Sequence, residues 1–334
     1  MSTDLMPYTR ESRALLPDAL RLGPVRLAVA DLERAVGFYT RVIGLQVASR
    51  AVEGGFEVAH LSAGGAGHED VVVLQEEPGA RPAGKHLPYT GLYHVALNYP
   101  SRLELARTAR RIADSGAPVG GSNHKTHEAI YLSDPDGNGL ELAWDAPREE
   151  WPVTLTQYIR EGMEPLDAAG LIAMTAGEAA TPPAAPGLRV GHLHLHVGSI
   201  PQARHFYVDL LGFELQMDLG TGAFASAGRY HHHLGMNTWR GEGAPPRPAD
   251  HVGLREWSIY LPEPGDVAAA RARLEAGGVR VASAGPDAFT TADPSGIPLR
   301  VGADPAPGAR VAIQHTTRGY DHASGRDHVA RRHD

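Results

Sequence analysis

One pattern of apolar and polar positions recurs along the chain. Pro24-Val25-Arg26-Leu27-Ala28-Val29 alternates in the manner of a strand, and from Asp31 to Ile43 the apolar residues recur three and four apart. These two periods predict a half-buried strand followed by an amphipathic helix. Phe38-Tyr39 and Val42-Ile43-Gly44-Leu45 close the unit, with Gly44 suited to a left-handed helix end. His192-Leu193-His194-Leu195-His196-Val197, Phe206-Tyr207 and Leu210-Leu211-Gly212-Phe213 repeat it, predicting a helix over Pro201 to Leu211.

Two further units follow the same plan with a different ending. In one, strands are predicted over Leu92 to Asn98, Glu128 to Ser133 and Leu140 to Trp144, with a helix over Arg102 to Ala113 and a turn at Asp134-Pro135-Asp136-Gly137. In the other, strands over Glu256 to Leu261, Phe289 to Ala292 and Pro298 to Val301 flank a helix over Val267 to Leu274 and the turn Asp293-Pro294-Ser295-Gly296. The order implies four βαβββ-like modules, divided two and two by a Pro- and Ala-rich stretch near Ala179 to Pro186. The expected organisation is an N-terminal extension over 1–20, modules one and two over 21–148, and a linker with a short helix over 149–188. Modules three and four then occupy 189–303, and 304–334, poor in apolar periodicity, is expected to be a mobile tail.

Composition narrows the chemistry. A 334-residue chain that is 42% hydrophobic can bury a core, and 39 acidic against 31 basic residues argue against nucleic acid or an anionic membrane as partner. The absence of cysteine excludes disulfides and thiolate ligands, so any metal must sit on histidine and carboxylate. No continuous apolar segment suggests a secretory signal or a membrane span, and a cytoplasmic location is expected. Histidine is abundant, at 18 residues, and several fall at equivalent places in different modules. His94 and His192 lie in the first strands of modules two and three, and Glu141 stands in the apolar strand Leu140-Glu141-Leu142-Ala143, where an inward carboxylate needs a partner.

Four such modules resemble the vicinal oxygen chelate superfamily. Gly91-Leu92-Tyr93-His94, Tyr131 to Glu141, Gly191 to Val197 and Tyr230-His231-His232-His233 resemble its extradiol ring-cleavage branch, the bacterial catechol 2,3-dioxygenases, and the likeness runs over roughly 20 to 303. It implies an α+β fold in which module pairs form two half-open eight-stranded barrels. It also implies an iron(II) or manganese(II) site on a facial triad of two histidines and a carboxylate, with open positions for a small aromatic diol and dioxygen. Module four has Trp257 where histidine is expected and Arg300 where glutamate is expected, and module one has Pro24. Only modules two and three together supply a triad: His94, Glu141 and His192. They are therefore expected to pair around the metal, leaving module one with module four.

The resemblance also implies the surrounding groups. Tyr131, ten residues before Glu141, would hydrogen-bond a metal-bound substrate oxygen, and His124, seven residues before Tyr131, would contact substrate. His231-His232-His233 is expected in the last strand of module three, where alternation puts His231 and His233 on one face and His232 on the other. His233 is the favoured acid-base residue and His232 the fallback. His194 and His196 share a face with His192 and are assigned no chemistry. The product would be a hydroxymuconic semialdehyde, the sequel to ring cleavage in aromatic catabolism. A glyoxalase-like isomerase, a metal-dependent thiol transferase or a metal-free ligand-binding protein of the same fold are the alternatives, and a homo-oligomer is compatible with all of them.

Overall fold

The structure, a computed structural model, describes residues 14–83, 87–152 and 162–305. Module one comprises β1 (Arg21–Val29), α1 (Leu32–Phe38), β2 (Gln46–Glu53), β3 (Phe56–Ser62) and β4 (Asp70–Glu76). Module two comprises β5 (Gly91–Asn98), α2 (Arg102–Ser115), β6 (Gly120–Asn123), β7 (His127–Ser133) and β8 (Gly139–Asp145). Between the halves lie the two-residue β9 (Glu164–Pro165) and α3 (Ala168–Ala173). Module three has β10 (Arg189–His196), α4 (Ile200–Arg204), β11 (Glu214–Asp218), β12 (Gly222–Ser226) and β13 (Leu234–Asn237). Module four has β14 (Gly253–Leu261), α5 (Pro264–Ala276), β15 (Ala282–Ser283), β16 (Ala288–Ala292) and β17 (Pro298–Ala303).

The strands form two open sheets. Modules one and four share an eight-stranded sheet in the order β15-β16-β17-β14-β1-β4-β3-β2, and modules three and two share β11-β12-β13-β10-β5-β8-β7-β6-β9. The expected pairing of non-sequential modules is therefore what the topology has, through antiparallel seams β1/β14 and β10/β5. The second sheet has nine strands instead of eight because β9, from the linker, adds to the edge of β6. Alternation along β10 sorts its residues: Leu193, Leu195 and Val197 lie in the shared core at 0% exposure, which turns His192, His194 and His196 to the opposite face.

The helices differ from the continuous ones expected. Asp31 caps α1 through the Arg34 amide, but Tyr39–Ile43 and His205–Leu211 are π-helical before Gly44 and Gly212 end them at φ 92° and 106°. A π turn shifts the facing of the side chains that follow, a change a 3.6-residue period cannot reveal. Here it aims two buried tyrosines across modules. Tyr39 donates to Asp134 at 3.2 Å and Tyr207 to Asp293 at 3.0 Å. Each aspartate also takes two backbone N–H groups of its own turn, those of Asp136 and Asn138 and those of Ser295 and Ile297. Sequential modules are thus fastened by helices and turns while non-sequential ones are fastened by strands.

The extension is partly core: Leu16 and Leu20 are buried, and the Leu16 amide donates to Gly212 at 2.8 Å. The mobile tail expected over 304–334 lies outside the described residues from 306 onward. Among the described residues no helix is long and apolar enough to cross a membrane.

Candidate metal centre

His94, Glu141 and His192 come from adjacent strands β5, β8 and β10, and their ligating atoms all lie within 4.8 Å of one another. Glu141 Oε2 is 2.9 Å from His94 Nε2 and 3.2 Å from His192 Nε2, and Glu141 is only 1% exposed. Burial alone would raise this carboxyl, but the charges of His192 and His94 and hydrogen bonds from His127 and His192 hold it well below the usual range. Burial likewise lowers His192, against the opposing pull of Glu141. One ionised carboxylate and two imidazoles, buried and converging, are a donor set that fits a divalent first-row cation.

A fourth residue belongs here that the sequence reading missed. His127, at the start of β7, directs Nε2 to Glu141 Oε1 at 2.9 Å, while Thr126 Oγ1 lies 2.9 Å from its Nδ1. The ionised carboxylate requires the proton on Nε2, so Nδ1 accepts from the threonine hydroxyl. Its signal was available in the period of β7: His127, Ala129 and Tyr131 share the face that meets Glu141. Tyr131 and His124 do lie beside the triad. His124 Nε2 is 2.7 Å from the Tyr131 hydroxyl, the Tyr131 ring is 5.7 Å from that of His94, and His124 stacks on His127 at 4.5 Å. Burial, then the charge of His127, brings His124 down to about 4, so it is neutral at physiological pH.

The histidine run is placed differently from expectation. β13 begins only at Leu234, so His231 to His233 form an irregular approach to the strand and do not alternate. His233 turns away: its Nδ1 accepts the Ala227 amide at 3.1 Å and its ring packs near Tyr230 and Phe213. His231 and His232 instead group with His192, and the His232 ring is 4.2 Å from that of His192. Asp145 organises them. Burial would raise its carboxyl, but His231 and Tyr230 hold it at about 2. The carboxylate takes the proton of His231 Nε2 at 3.2 Å, which leaves His231 Nδ1 to accept from His232 Nδ1 at 2.9 Å. His232 Nε2 is then a lone pair, and burial with the charges of His192 and His231 keeps that ring well below its usual pKa. His194 and His196 serve the framework: Asn237 Nδ2 donates to His194 Nε2 at 2.9 Å, and His196 Nδ1 donates to Asn237 Oδ1 at 2.7 Å.

Among the described residues the eight-stranded sheet has no such triad, but one assignment changes. In the seams His194 faces His94 while Arg26 faces Glu256, and both β5 and β14 carry one extra residue just before, Tyr93 and Arg255. Glu256, not Trp257, therefore occupies the position of His94. Trp257 is fully buried in the common core. Arg300 does stand where Glu141 does, since Ser258↔Arg300 repeats Ala96↔Glu141.

Comparison with known proteins agrees with the fold. The model of the Glyoxalase/Bleomycin resistance protein/Dioxygenase superfamily matches residues 21–142 and 189–301. Catechol-2,3-dioxygenase of Bacillus subtilis (strain 168) is 37% identical over 248 residues, 72% of this chain and 82% of that protein. Lactoylglutathione lyase of Escherichia coli O157:H7 is 29% identical over 129 residues, 37% of this chain and 91% of the lyase. Among solved structures, a Bacillus subtilis protein described as a candidate dioxygenase superposes with TM-score 0.61 at 14% identity, covering 91% of this chain and 90% of the other. Glyoxalase I from Zea mays gives 0.52 at 16% identity, covering 85% and 92%. Both structural likenesses speak to the fold.

Proposed function

Because the chain belongs to the glyoxalase/bleomycin resistance protein/dioxygenase superfamily, we propose that it is an extradiol dioxygenase that opens a catechol-like ring beside its two hydroxyls. The observation that carries this reading is the convergence of His94, Glu141 and His192 in the sheet formed by modules two and three. The residues fit iron(II), with manganese(II) sharing the ligand preference. When bound, such a metal supplies adjacent open positions for diol and dioxygen and a path for electrons between them.

The side chains do the remaining work. His232 Nε2 can take a proton from a diol hydroxyl, because the ordered chain Asp145, His231, His232 leaves that nitrogen unprotonated and Asp145 stabilises the charge that follows. This transfers to His232 the role expected of His233. The Tyr131 hydroxyl and His124 Nε2 orient a substrate oxygen beside His94 and stabilise charge developing on it. His127 holds Glu141 Oε1 and leaves Oε2 toward the triad. A product of the hydroxymuconic semialdehyde type follows from cleavage next to the diol.

Reconstitution with iron(II) without oxygen, then addition of catechol and air, tests the reading. A yellow ring-fission product is expected, and metal-loaded protein that leaves every diol intact would overturn it. The likeness to lactoylglutathione lyase keeps an isomerase in view, for which His231 or His232 would have to serve as a fourth ligand near His192. Turnover of a hemithioacetal without oxygen uptake would favour that instead.

A further inference from the structure

The inference rests on the dioxygenase reading and adds the chemical class of the substrate. At the β5 bulge the register with β10 slips between His194 and Leu195, so Tyr93 joins His94 on the histidine-bearing face instead of alternating away. Its ring lies 4.9 Å from His94, 5.1 Å from His194 and 5.0 Å from His196. Trp239 lies 5.4 Å from both Tyr93 and His194. Tyr93 is 40% exposed and Trp239 57%, so together they make an aromatic wall that runs from a triad ligand to solvent.

Two arginines stand at the end of that wall. His196 gives its Nδ1 proton to Asn237, so its Nε2 accepts the Nε–H of Arg240 at 3.2 Å, which fixes the guanidinium and leaves its terminal nitrogens for another partner. Arg247 crosses Gly91 and Gly253, at φ 131° and 142°; a Cβ on either would come within 3.3 or 3.2 Å of its side chain. The two strand-opening glycines thus make room for it. It donates to the Val252 carbonyl at 3.2 Å. Among the described residues no carboxylate pairs with either arginine, whereas neighbouring Arg255 is neutralised by Glu77 at 2.8 Å. Burial, and then the like charges of Arg255 and Arg240, push Arg247 down to about 10. A half-buried pair of cations without a counter-ion is costly unless an anion arrives.

We propose that Arg240 and Arg247 bind an anionic group, a carboxylate carried on the ring or a short side chain of the diol substrate, remote from the two chelating oxygens. The diol end would meet the triad while Tyr93 and Trp239 flank the path between.

The test is calorimetric titration of the iron(II)-loaded protein, without oxygen, with (3,4-dihydroxyphenyl)acetate and with its methyl ester. The acid should bind on the order of 10- to 100-fold more tightly than the ester, as one or two charge-assisted hydrogen bonds imply. Added salt should weaken the acid alone, and Arg240→Gln and Arg247→Gln should each cut the preference about tenfold. Should Arg247→Gln fail to fold, Arg240→Gln decides. Equal binding of acid and ester, or a preference intact in the variants, overturns the anion site. Air is then admitted: ring opening of either diol upholds the dioxygenase reading whatever the affinities. Tight, arginine-dependent acid binding without ring opening would overturn that reading and leave the anion site standing.

Discussion

Replacing His127 by alanine separates holding the metal from holding the fold. The residue is 3% exposed, with Nε2 2.9 Å from Glu141 Oε1, and is stacked between His124 at 4.5 Å and His231 at 4.8 Å. Deletion frees one carboxylate oxygen to rotate away from the geometry the two ligand histidines need. Outer-sphere partners of metal ligands are worth about 10- to 100-fold in affinity, and that range corresponds to about 1.4 to 2.7 kcal/mol. A hydrogen bond to a charged group is worth about 1.5 to 3 kcal/mol, so the two routes agree. Competition between His127→Ala and a chelator for iron(II) or zinc should therefore show a loss within that window, with His127→Gln recovering part of it. A change of only the melting temperature, with affinity intact, would make His127 a packing residue. A loss far beyond about 100-fold would make it a ligand in its own right, which its place with His124 and Glu141 in a second converging group allows chemically.

Other outcomes follow from the same geometry. His94→Ala, His192→Ala and Glu141→Ala should each purify without stoichiometric metal and without ring-cleavage activity, as elemental analysis and oxygen uptake would show; a full metal complement in any of them counts against the triad. His232→Ala should keep its metal and lose about 100- to 10,000-fold in kcat, while His233→Ala loses far less, and the reverse order would return the acid-base role to His233. Asp293 is raised by burial from 3.8 to about 6 despite its hydrogen bonds. The native state then binds more protons than the unfolded state between these values, so stability falls as pH rises from about 4 to about 6, by up to about 3 kcal/mol. Urea unfolding of Asp293→Asn should show a flatter dependence across that window, and an unchanged slope would refute the assignment.

The sequence made the modules legible because they depend on short periods, whereas the grouping of His94, Glu141 and His192 came from the family resemblance. Gly44 and Gly212 ended their helices as read, and modules two and three pair, as expected from where the resemblance placed His94, Glu141 and His192. What escaped were offsets of a single residue. The bulge at Tyr93 and Arg255 moves the histidine-equivalent position from Trp257 to Glu256, and pairing registers, not residue types, reveal it. The π turns before Gly44 and Gly212 are likewise one-residue insertions inside a correct helical pattern. His231 to His233 misled for another reason: polar residues show no apolar alternation, so nothing fixed where the strand begins. His127 required knowing that β7 lies against β8 in the register Tyr131↔Glu141.

The two sheets suggest a final expectation, the number of metal ions per chain. In the nine-stranded sheet the carboxylate of Glu141 stands among imidazoles, a donor set that an external cation would fit. In the eight-stranded sheet the matching positions hold Pro24, Glu256 and Arg300, and Arg26 stands at the position of His194. There the cation is part of the chain. Glu256 is raised by burial, with Arg300 and Arg26 pulling it back, and Arg26 is itself paired with Glu53 at 2.5 Å. A metal placed at that position would meet a guanidinium within electrostatic reach and only one of three ligands, a repulsion no remaining donor offsets. One ion per chain should therefore be found by elemental analysis, removed altogether by Glu141→Ala and untouched by Glu256→Gln. A second tightly held ion that Glu256→Gln abolishes would show that both sheets bind metal and that the internal arginine does not take the cation's place.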